Sequence, residues 1–376
     1  MIPTATPSDL GFRFPAEWEP HAATWLAWPH NREDWPGKFS PIPWAYAEIV
    51  RLLARSETVE ILVRSRRERD EVAERLERAG ADMNQVRFLK ARTDRVWTRD
   101  SGPMFVVRDH RDVRQVGAVR FGFNGWAKYD NHKHDARVSR KIAEELGIHR
   151  WRAYAEVEGE PTRVVLEGGA IDVNGLGTLL TTEECLLSDV QARNPGLGRE
   201  GIERVFARYL GVRHTIWLNR GIIGDDTHGH VDDLARFVGP NKVVIAQESD
   251  PSDPNHDLLR ENWERLRDAR DQDGHPLEVI PLPMPRPVVF DGQRLPASYA
   301  NFYIANRCVI VPTFNDPADR IALATLAGAF PDRDVVGVHA VDLVWGLGTL
   351  HCLTREQPKG EPFADKPESE EAPPVD

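Results

Sequence analysis

Leu234-Ala235-Arg236-Phe237-Val238, then Gly239-Pro240-Asn241-Lys242, then Val243-Val244-Ile245-Ala246: two short apolar runs flank a turn of Gly, Pro and Asn. Runs rich in Val and Ile that are joined by such residues read as a β-hairpin. The amphipathic stretch Asn255 to Ala269 follows as a helix, and Leu277 to Pro281 as a further strand. Counted as strand, hairpin, helix, with Leu277 to Pro281 opening the next unit, this order is the one from which the rest of the chain can be read.

Working outward, the same order returns. Toward the C-terminus, Asn301 to Ile304 and Cys308 to Val311 form a hairpin across Ala305-Asn306-Arg307, with a helix from Asp319 to Ala329 and a strand from Val335 to Val338. Toward the N-terminus, Arg163 to Gly169 leads into a hairpin across Asn174-Gly175, a dipeptide suited to a type I′ turn. The helix Gly198 to Leu210 completes that unit, and the strand His214 to Leu218 opens the next. Met104 to Val107 and Val116 to Phe121 precede a helix at Asp135 to Leu146. Val59 to Val63, the helix Arg66 to Ala79 and Val86 to Leu89 come first, after a helix at Pro43 to Ser56. About five α/β units without a low-complexity linker predict a closed, propeller-like array, since an open solenoid would need polar caps. The expected organisation is one domain over residues 1–358 and an acidic tail over 359–376, too poor in apolar residues to pack and expected to be disordered.

Composition narrows the function. Hydrophobic residues at 41% and charged residues at 28% fit a globular chain with a sizeable core. Acidic residues number 59 against 48 basic, a net charge of −11, which argues against a nucleic-acid surface and favours a cationic ligand. Neither a secretory leader nor an apolar run of membrane-spanning length is found, and three scattered cysteines do not suggest a disulfide framework, so a cytoplasmic setting is expected. A homo-oligomer is left open.

Four polar clusters interrupt the apolar scaffold: Trp97-Thr98-Arg99-Asp100-Ser101-Gly102-Pro103, Glu167-Gly168-Gly169, Asp225 to Asp233, and Gly346-Leu347-Gly348-Thr349-Leu350-His351-Cys352. Asp100 and Glu167 are 67 residues apart, Glu167 and His230 63, His230 and Asn301 71, and Asn301 and Cys352 51. Equivalent places in a closed array converge, which would bring two acids, a His-Asp pair and a thiol into one pocket. If His230 and Asp232 lie on a strand they face one ligand while Val231 faces the core. Cys185 and Cys308 sit in apolar runs and read as core. The tryptophans around Trp28-Pro29 and Asp34-Trp35-Pro36 read either as a pocket wall or as a core patch.

A metal reading is the alternative. His228-x-His230-x-Asp232 has the spacing of binuclear metallohydrolases, and Asp226-x-His228 resembles manganese ureohydrolases, so Asp226, His228, His230 and Asp232 are candidate ligands. Asp233 stands where the zinc motif continues with histidine. A thiol, imidazole and carboxylate set suits a guanidinium better. That cation is planar and permanently charged, so two carboxylates can grip it, and its weakly electrophilic carbon calls for a strong nucleophile such as thiolate.

These residues resemble the agmatine deiminase / Porphyromonas-type peptidylarginine deiminase family of guanidino-group-modifying enzymes. The matching motifs are Trp97-x-Arg99-Asp100-x-Gly102-Pro103, Phe123-Asn124-Gly125-Trp126, Glu167-Gly168-Gly169, Asp226-Thr227-x-Gly229-His230-x-Asp232, Tyr299-x-Asn301-Phe302 and Gly348-x-x-His351-Cys352-x-Thr354. The resemblance implies a five-bladed α/β propeller (pentein) and a hydrolase without cofactor or metal. It implies Cys352 as nucleophile, His230 as general acid/base, Asp100 and Asp232 as guanidinium clamps, and Glu167 positioning His230. Trp97, Trp28, Asn301 and Gly348 are expected at the substrate. Where the peptidylarginine branch carries arginines after Phe-Asn, this chain reads Gly125-Trp126-Ala127-Lys128-Tyr129-Asp130, so a substrate lacking a carboxylate, such as agmatine, is expected, giving N-carbamoylputrescine and ammonia. Leu347 and Thr349 interrupt the family's Gly-Gly-Gly-Asn run, and His228 stands where Asp or Asn is frequent.

Overall fold

In the computed structural model, which describes residues 5–364, Ala235–Gly239 and Lys242–Gln247 pair antiparallel, and Lys242–Gln247 pairs in parallel with Glu278–Pro283 after the helix Asn255–Asp268. A hairpin plus one parallel strand reached through a helical crossover is thus the building block. Tyr303–Ile304, Cys308–Thr313 and Asp334–His339 repeat it around the helix Ala318–Ala329. So do Asp172–Val173, Thr178–Thr182 and His214–Leu218 around Arg199–Leu210. Met104–His110, Val113–Arg120 and Arg150–Arg152 follow the same plan around Val138–Glu145.

The remaining large sheet is built from both ends of the described chain. His21–Ala27 runs parallel to Thr58–Val63, which is parallel to Val86–Lys90, while Arg355–Pro358 lies antiparallel on the other side of His21–Ala27. These are mixed sheets of the α/β class expected from the sequence.

Local chemistry explains the helix limits. Ser65 accepts the Glu68 amide at 3.1 Å, and Glu68 reaches back to the Arg64 amide at 2.6 Å, satisfying donors at the start of Arg66–Arg78. Arg199–Leu210 ends at Gly211, whose φ of +68° makes a left-handed cap that costs glycine little. The helices put Ile49, Leu53, Val72, Leu259 and Leu326 into the core.

One open reading is resolved and two expectations are corrected. In the Trp-rich segment the tryptophans form a core patch: His21–Ala27 is an interior strand, with Trp25 fully buried and bonded through Nε1 to Gln357 at 2.9 Å, while Asp34 and Pro36 beside Trp35 line a cavity. Arg163 does not start the third unit but ends an extra hairpin, Tyr154–Val157 with Glu160–Arg163. The tail does not begin at 359. Lys359 donates its amide to Pro20, Glu361–Pro362 pairs with Val113–Arg120, and Phe363 stacks on Trp151 with centroids 5.8 Å apart. One aromatic anchor overrides the acidic composition there, and residues 365–376 lie outside the described residues. No helix among the described residues is long and apolar enough to cross a membrane.

Candidate active site

In each of the five sheets of three or more strands among the described residues a short turn precedes one strand, and these turns carry the polar clusters. They are Thr98–Ser101 before Met104, Gly168–Ala170 before Asp172, Val231–Asp233 before Ala235, the Ser298–Asn301 turn before Tyr303, and Leu350–Leu353 before Arg355. Their side chains meet. Cys352 Sγ lies 3.6 Å from Asp232 Oδ2 and 3.1 Å from the donor Asn301 Nδ2. His230 Nδ1 is 3.9 Å from Asp232 Oδ1, and His230 Nε2 is 3.7 Å from Glu167 Oε2. Both separations are too long for hydrogen bonds but close enough for strong electrostatic pairing.

Each side chain is held by a specific partner. Asp100 accepts the Gly169 amide at Oδ1 and the Trp126 indole N–H at Oδ2, both at 2.9 Å. A Cβ on Gly169 would sit 2.5 Å from His230 Nδ1, so only glycine lets that amide approach the carboxylate. Glu167 is clamped by Arg193 Nε at 3.2 and 3.3 Å. Asp225 caps the turn leading to His230 by accepting the amides of Gly229 and His230 at 2.8 and 2.9 Å. Asn301 Oδ1 accepts Thr349 Oγ1 at 2.8 Å and the His351 amide at 3.1 Å, cradling the turn that presents the thiol. Thr98 Oγ1 donates to the Leu353 carbonyl at 2.6 Å, fastening the Asp100 turn to the Cys352 turn.

His230 and Asp232 do not lie on a strand, as expected, but open a 3-10 turn. Val231 still enters the core, and the two polar side chains still face one site. Among the described residues, both His230 nitrogens and Asp232 Oδ1 are buried without a hydrogen-bond partner. Such groups are costly unless something else fills the space between them.

The protonation balance follows from these surroundings. Burial pushes the Cys352 thiol well above its usual value, and Asp232, Asp233 and Asp100 add to the shift. Burial opposes charge on His230, yet Asp100 first and Glu167 among others hold its pKa well above the usual value. Burial raises Asp100, against the pull of His230. For Asp232 burial is outweighed by the hydrogen bond and charge of His351, and the carboxyl sits below its ordinary value. Burial is likewise outweighed at Glu167, where Arg193 and His230 bring it to about 2. An imidazolium therefore sits among carboxylates, and carboxyl groups of the same cluster oppose ionisation of the Cys352 thiol.

Cys352 and Asp100 lie at the base of a cavity of about 180 Å³ whose walls include Trp97, Trp126, Tyr129 and Gly348. A Cβ on Gly348 would meet the Trp97 ring at 2.7 Å and Cys352 Cβ at 3.1 Å. Glu33, Asp34 and Asp226 line the same cavity together with Arg95. Asp34 binds Arg95 at 2.7 Å through Oδ1, while its Oδ2 is buried and unpartnered among the described residues. Burial lifts its pKa to about 7 against the pull of Arg95.

Of the expected substrate contacts, Trp97 and Gly348 line the cavity. Trp28 does not: it packs in the core with its ring 5.9 Å from that of Tyr46, because it ends the interior strand. Asn301 touches the thiol rather than the cavity. The proposed metal quartet does not assemble, since Asp226 is engaged by Lys128 and Tyr129 and His228 Nε2 lies 3.1 Å from Ser188 Oγ. Cys185, read as core, is buried beside Glu167 and His230. Arg193 and Glu17 were not singled out by sequence reasoning; Trp126 lay in a quoted motif and Asp225 in a quoted polar cluster, neither with a role assigned.

The sequence matches the model of the Porphyromonas-type peptidyl-arginine deiminase family over residues 13–358. It is 37% identical to an agmatine deiminase of Pseudomonas aeruginosa, covering 95% of this chain and 98% of the relative, and 38% identical to one of Stutzerimonas stutzeri, covering 94% and 98%. Among solved structures, an agmatine deiminase of Enterococcus faecalis superposes with a TM-score of 0.86 at 32% identity, over 95% of this chain and 99% of that one. The chain therefore belongs to the Porphyromonas-type peptidyl-arginine deiminase family and is an enzyme, a hydrolase acting on carbon–nitrogen bonds.

Proposed function

We propose that this protein hydrolyses the guanidinium group of agmatine to N-carbamoylputrescine and ammonia, with Cys352 as nucleophile. The observation that carries this reading is the set of buried, unpartnered polar atoms beside the thiol: Asp232 Oδ1 and both nitrogens of His230. A guanidinium between Asp100 and Asp232 would supply N–H donors to the carboxylates and place its carbon against Cys352 Sγ.

Arrival of that cation offsets the carboxylate field that keeps the thiol protonated, and the thiol proton leaves to solvent. The thiolate attacks the guanidinium carbon, forming the C–S bond. The His230 imidazolium gives its proton to the departing nitrogen, the C–N bond breaks, and ammonia leaves an S-alkylthiouronium. Neutral His230 then takes a proton from water as the water oxygen attacks the same carbon. Collapse to the urea carbonyl expels Cys352 as thiol, and the imidazolium is restored. Glu167, itself locked by Arg193, holds His230 in place. No step calls on a metal or cofactor.

Agmatine is favoured over arginine by the outer cavity. Three carboxylates, of Glu33, Asp34 and Asp226, line it, and two of them are paired, Asp34 with Arg95 and Asp226 with Lys128, which leaves an excess of one carboxylate. A second cation such as a primary amine suits that end, and an α-carboxylate does not. We also propose a single domain whose five sheets close into a five-bladed ring. Their shared plan and the pairing of the N-terminal strand with Arg355–Pro358 support this. Ammonia release measured against agmatine, arginine, peptidylarginine and methylated arginines tests the substrate. Cys352→Ala should abolish release and EDTA should leave it unchanged; activity in the mutant, or its loss with EDTA, would refute the mechanism.

A further inference from the structure

His351 immediately precedes the thiol, yet its side chain points away from the cavity into a buried charge cluster. Its Nδ1 lies 2.7 Å from Asp232 Oδ2 and its Nε2 lies 2.8 Å from Glu17 Oε2, so the ring bridges two carboxylates. Glu17 is itself fixed. Its Oε2 forms ion pairs with Arg99 at 3.1 Å and Arg236 at 3.0 Å, and its Oε1 accepts the Ile304 amide at 2.8 Å. Burial opposes charge on Glu17, but Arg236, His351 and Arg99 hold its pKa well below the ordinary range, so the anchor stays anionic.

We propose that His351, backed by Glu17, is a positioning residue that fixes the rotation of Asp232. With Oδ2 held by His351, Oδ1 is turned into the site, where it is the buried oxygen without a partner. If released, Oδ2, already 3.6 Å from Cys352 Sγ, would be free to close on the thiol, and Oδ1, 3.9 Å from His230 Nδ1, to close on the ring, engaging groups that the carboxylate should leave for substrate. The bridge also ties together three parts of the chain: the N-terminal segment with Glu17, the turn with Asp232, and the turn with Cys352. It rests on the reading of Asp232 as a guanidinium clamp.

Two substitutions separate positioning from simple space-filling. His351→Asn places an amide near Nδ1 and keeps a donor for Asp232, whereas His351→Gln places one near Nε2 and keeps the link to Glu17. If the Asp232 bond matters, Gln lowers kcat/KM for agmatine by about 10- to 150-fold, the range for losing a hydrogen bond to a charged group. The loss is expected mainly in KM, because the clamp acts on bound substrate and transition state alike. Asn should retain most of the activity. A role confined to filling the buried space predicts the reverse order, since Gln is nearer to His in size.

Thermal unfolding establishes that each variant is folded. If neither is, Glu17→Asp withdraws the anchoring carboxylate with His351 intact, and should lower kcat/KM by about tenfold or more. Wild-type turnover of no guanidine at all would overturn both this role and the proposed reaction. Turnover by wild type, with Gln equal to or better than Asn or with the tested variants within about threefold of wild type, a change below one hydrogen bond, would overturn the positioning role alone.

Discussion

Trp126→Phe removes one hydrogen bond from the heart of the site and leaves the ring. The indole N–H donates to Asp100 Oδ2 at 2.9 Å, while the ring makes T-shaped contacts with Phe123 at 5.1 Å and Tyr129 at 6.0 Å. Phenylalanine keeps a ring there and cannot donate. Hydrogen bonds to charged groups contribute about 1.5–3 kcal/mol, which corresponds to a fall of roughly 10- to 150-fold in kcat/KM if the bond orients the clamp. A second effect has a definite direction. Burial already raises the Asp100 pKa, and removing a donor to the ionised form raises it further. The acid limb of the kcat/KM profile should therefore move to higher pH. Steady-state ammonia release from agmatine across pH, with thermal unfolding as a folding control, measures both. A folded variant with kcat/KM within about threefold of wild type, below the weakest bond in that range, and an unmoved acid limb would show that the Trp126 bond does not orient Asp100 for catalysis.

Other perturbations have equally definite outcomes. Arg193→Met leaves Glu167 buried without its guanidinium, and breaking a buried pair of this kind costs about 3–5 kcal/mol, read as a lower denaturant midpoint. Gly348→Ala drives a methyl into the Trp97 ring, so activity should fall sharply while Trp97→Phe in the same background partly restores it. Asp34 has a pKa of about 7 and should hold the substrate amine only when ionised. The KM for agmatine should thus rise as pH falls through about 7, and Asp34→Asn should raise it above pH 7 while making little difference well below it. The His230 pKa is raised by the fold, so its stabilising contribution is fully present below the unfolded value of about 6.5 and fades as pH climbs through the folded value. The stability gap between wild type and His230→Gln should accordingly narrow at alkaline pH in denaturant titrations.

Much of the architecture could be read from residues that declare themselves locally. Helices such as Arg66–Arg78 and Asn255–Asp268 carry apolar stripes and clear ends, and hairpins such as Ala235–Gln247 carry turn residues between β-branched runs. His21–Ala27 escaped because an interior strand lacks alternation, and its tryptophans invited a different reading. The cluster spacing located Asp100, Glu167, His230 and Cys352, but not the turns that display them, which are too short to leave a periodic signal. Partners such as Glu17, Arg193 and His351 were harder still. A charged residue in sequence looks the same whether solvated or buried, and only the three-dimensional pairing across hundreds of residues distinguishes them.

The pairing of Trp25 with Arg355 joins positions 330 residues apart along the chain. Cys352 lies three residues ahead of that closing strand, so a growing polypeptide carries every other member of the site long before the thiol can be seated. Loop-closure entropy for so distant a contact must be met by units that have already folded. The chemistry is thus gated by assembly: a chain interrupted between Asp232 and Cys352 has the acids and the imidazole but no nucleophile. The same geometry makes a circular permutant instructive. Joining the two ends and opening an exposed loop elsewhere would turn the slowest contact into a local one and should hasten recovery of activity on refolding.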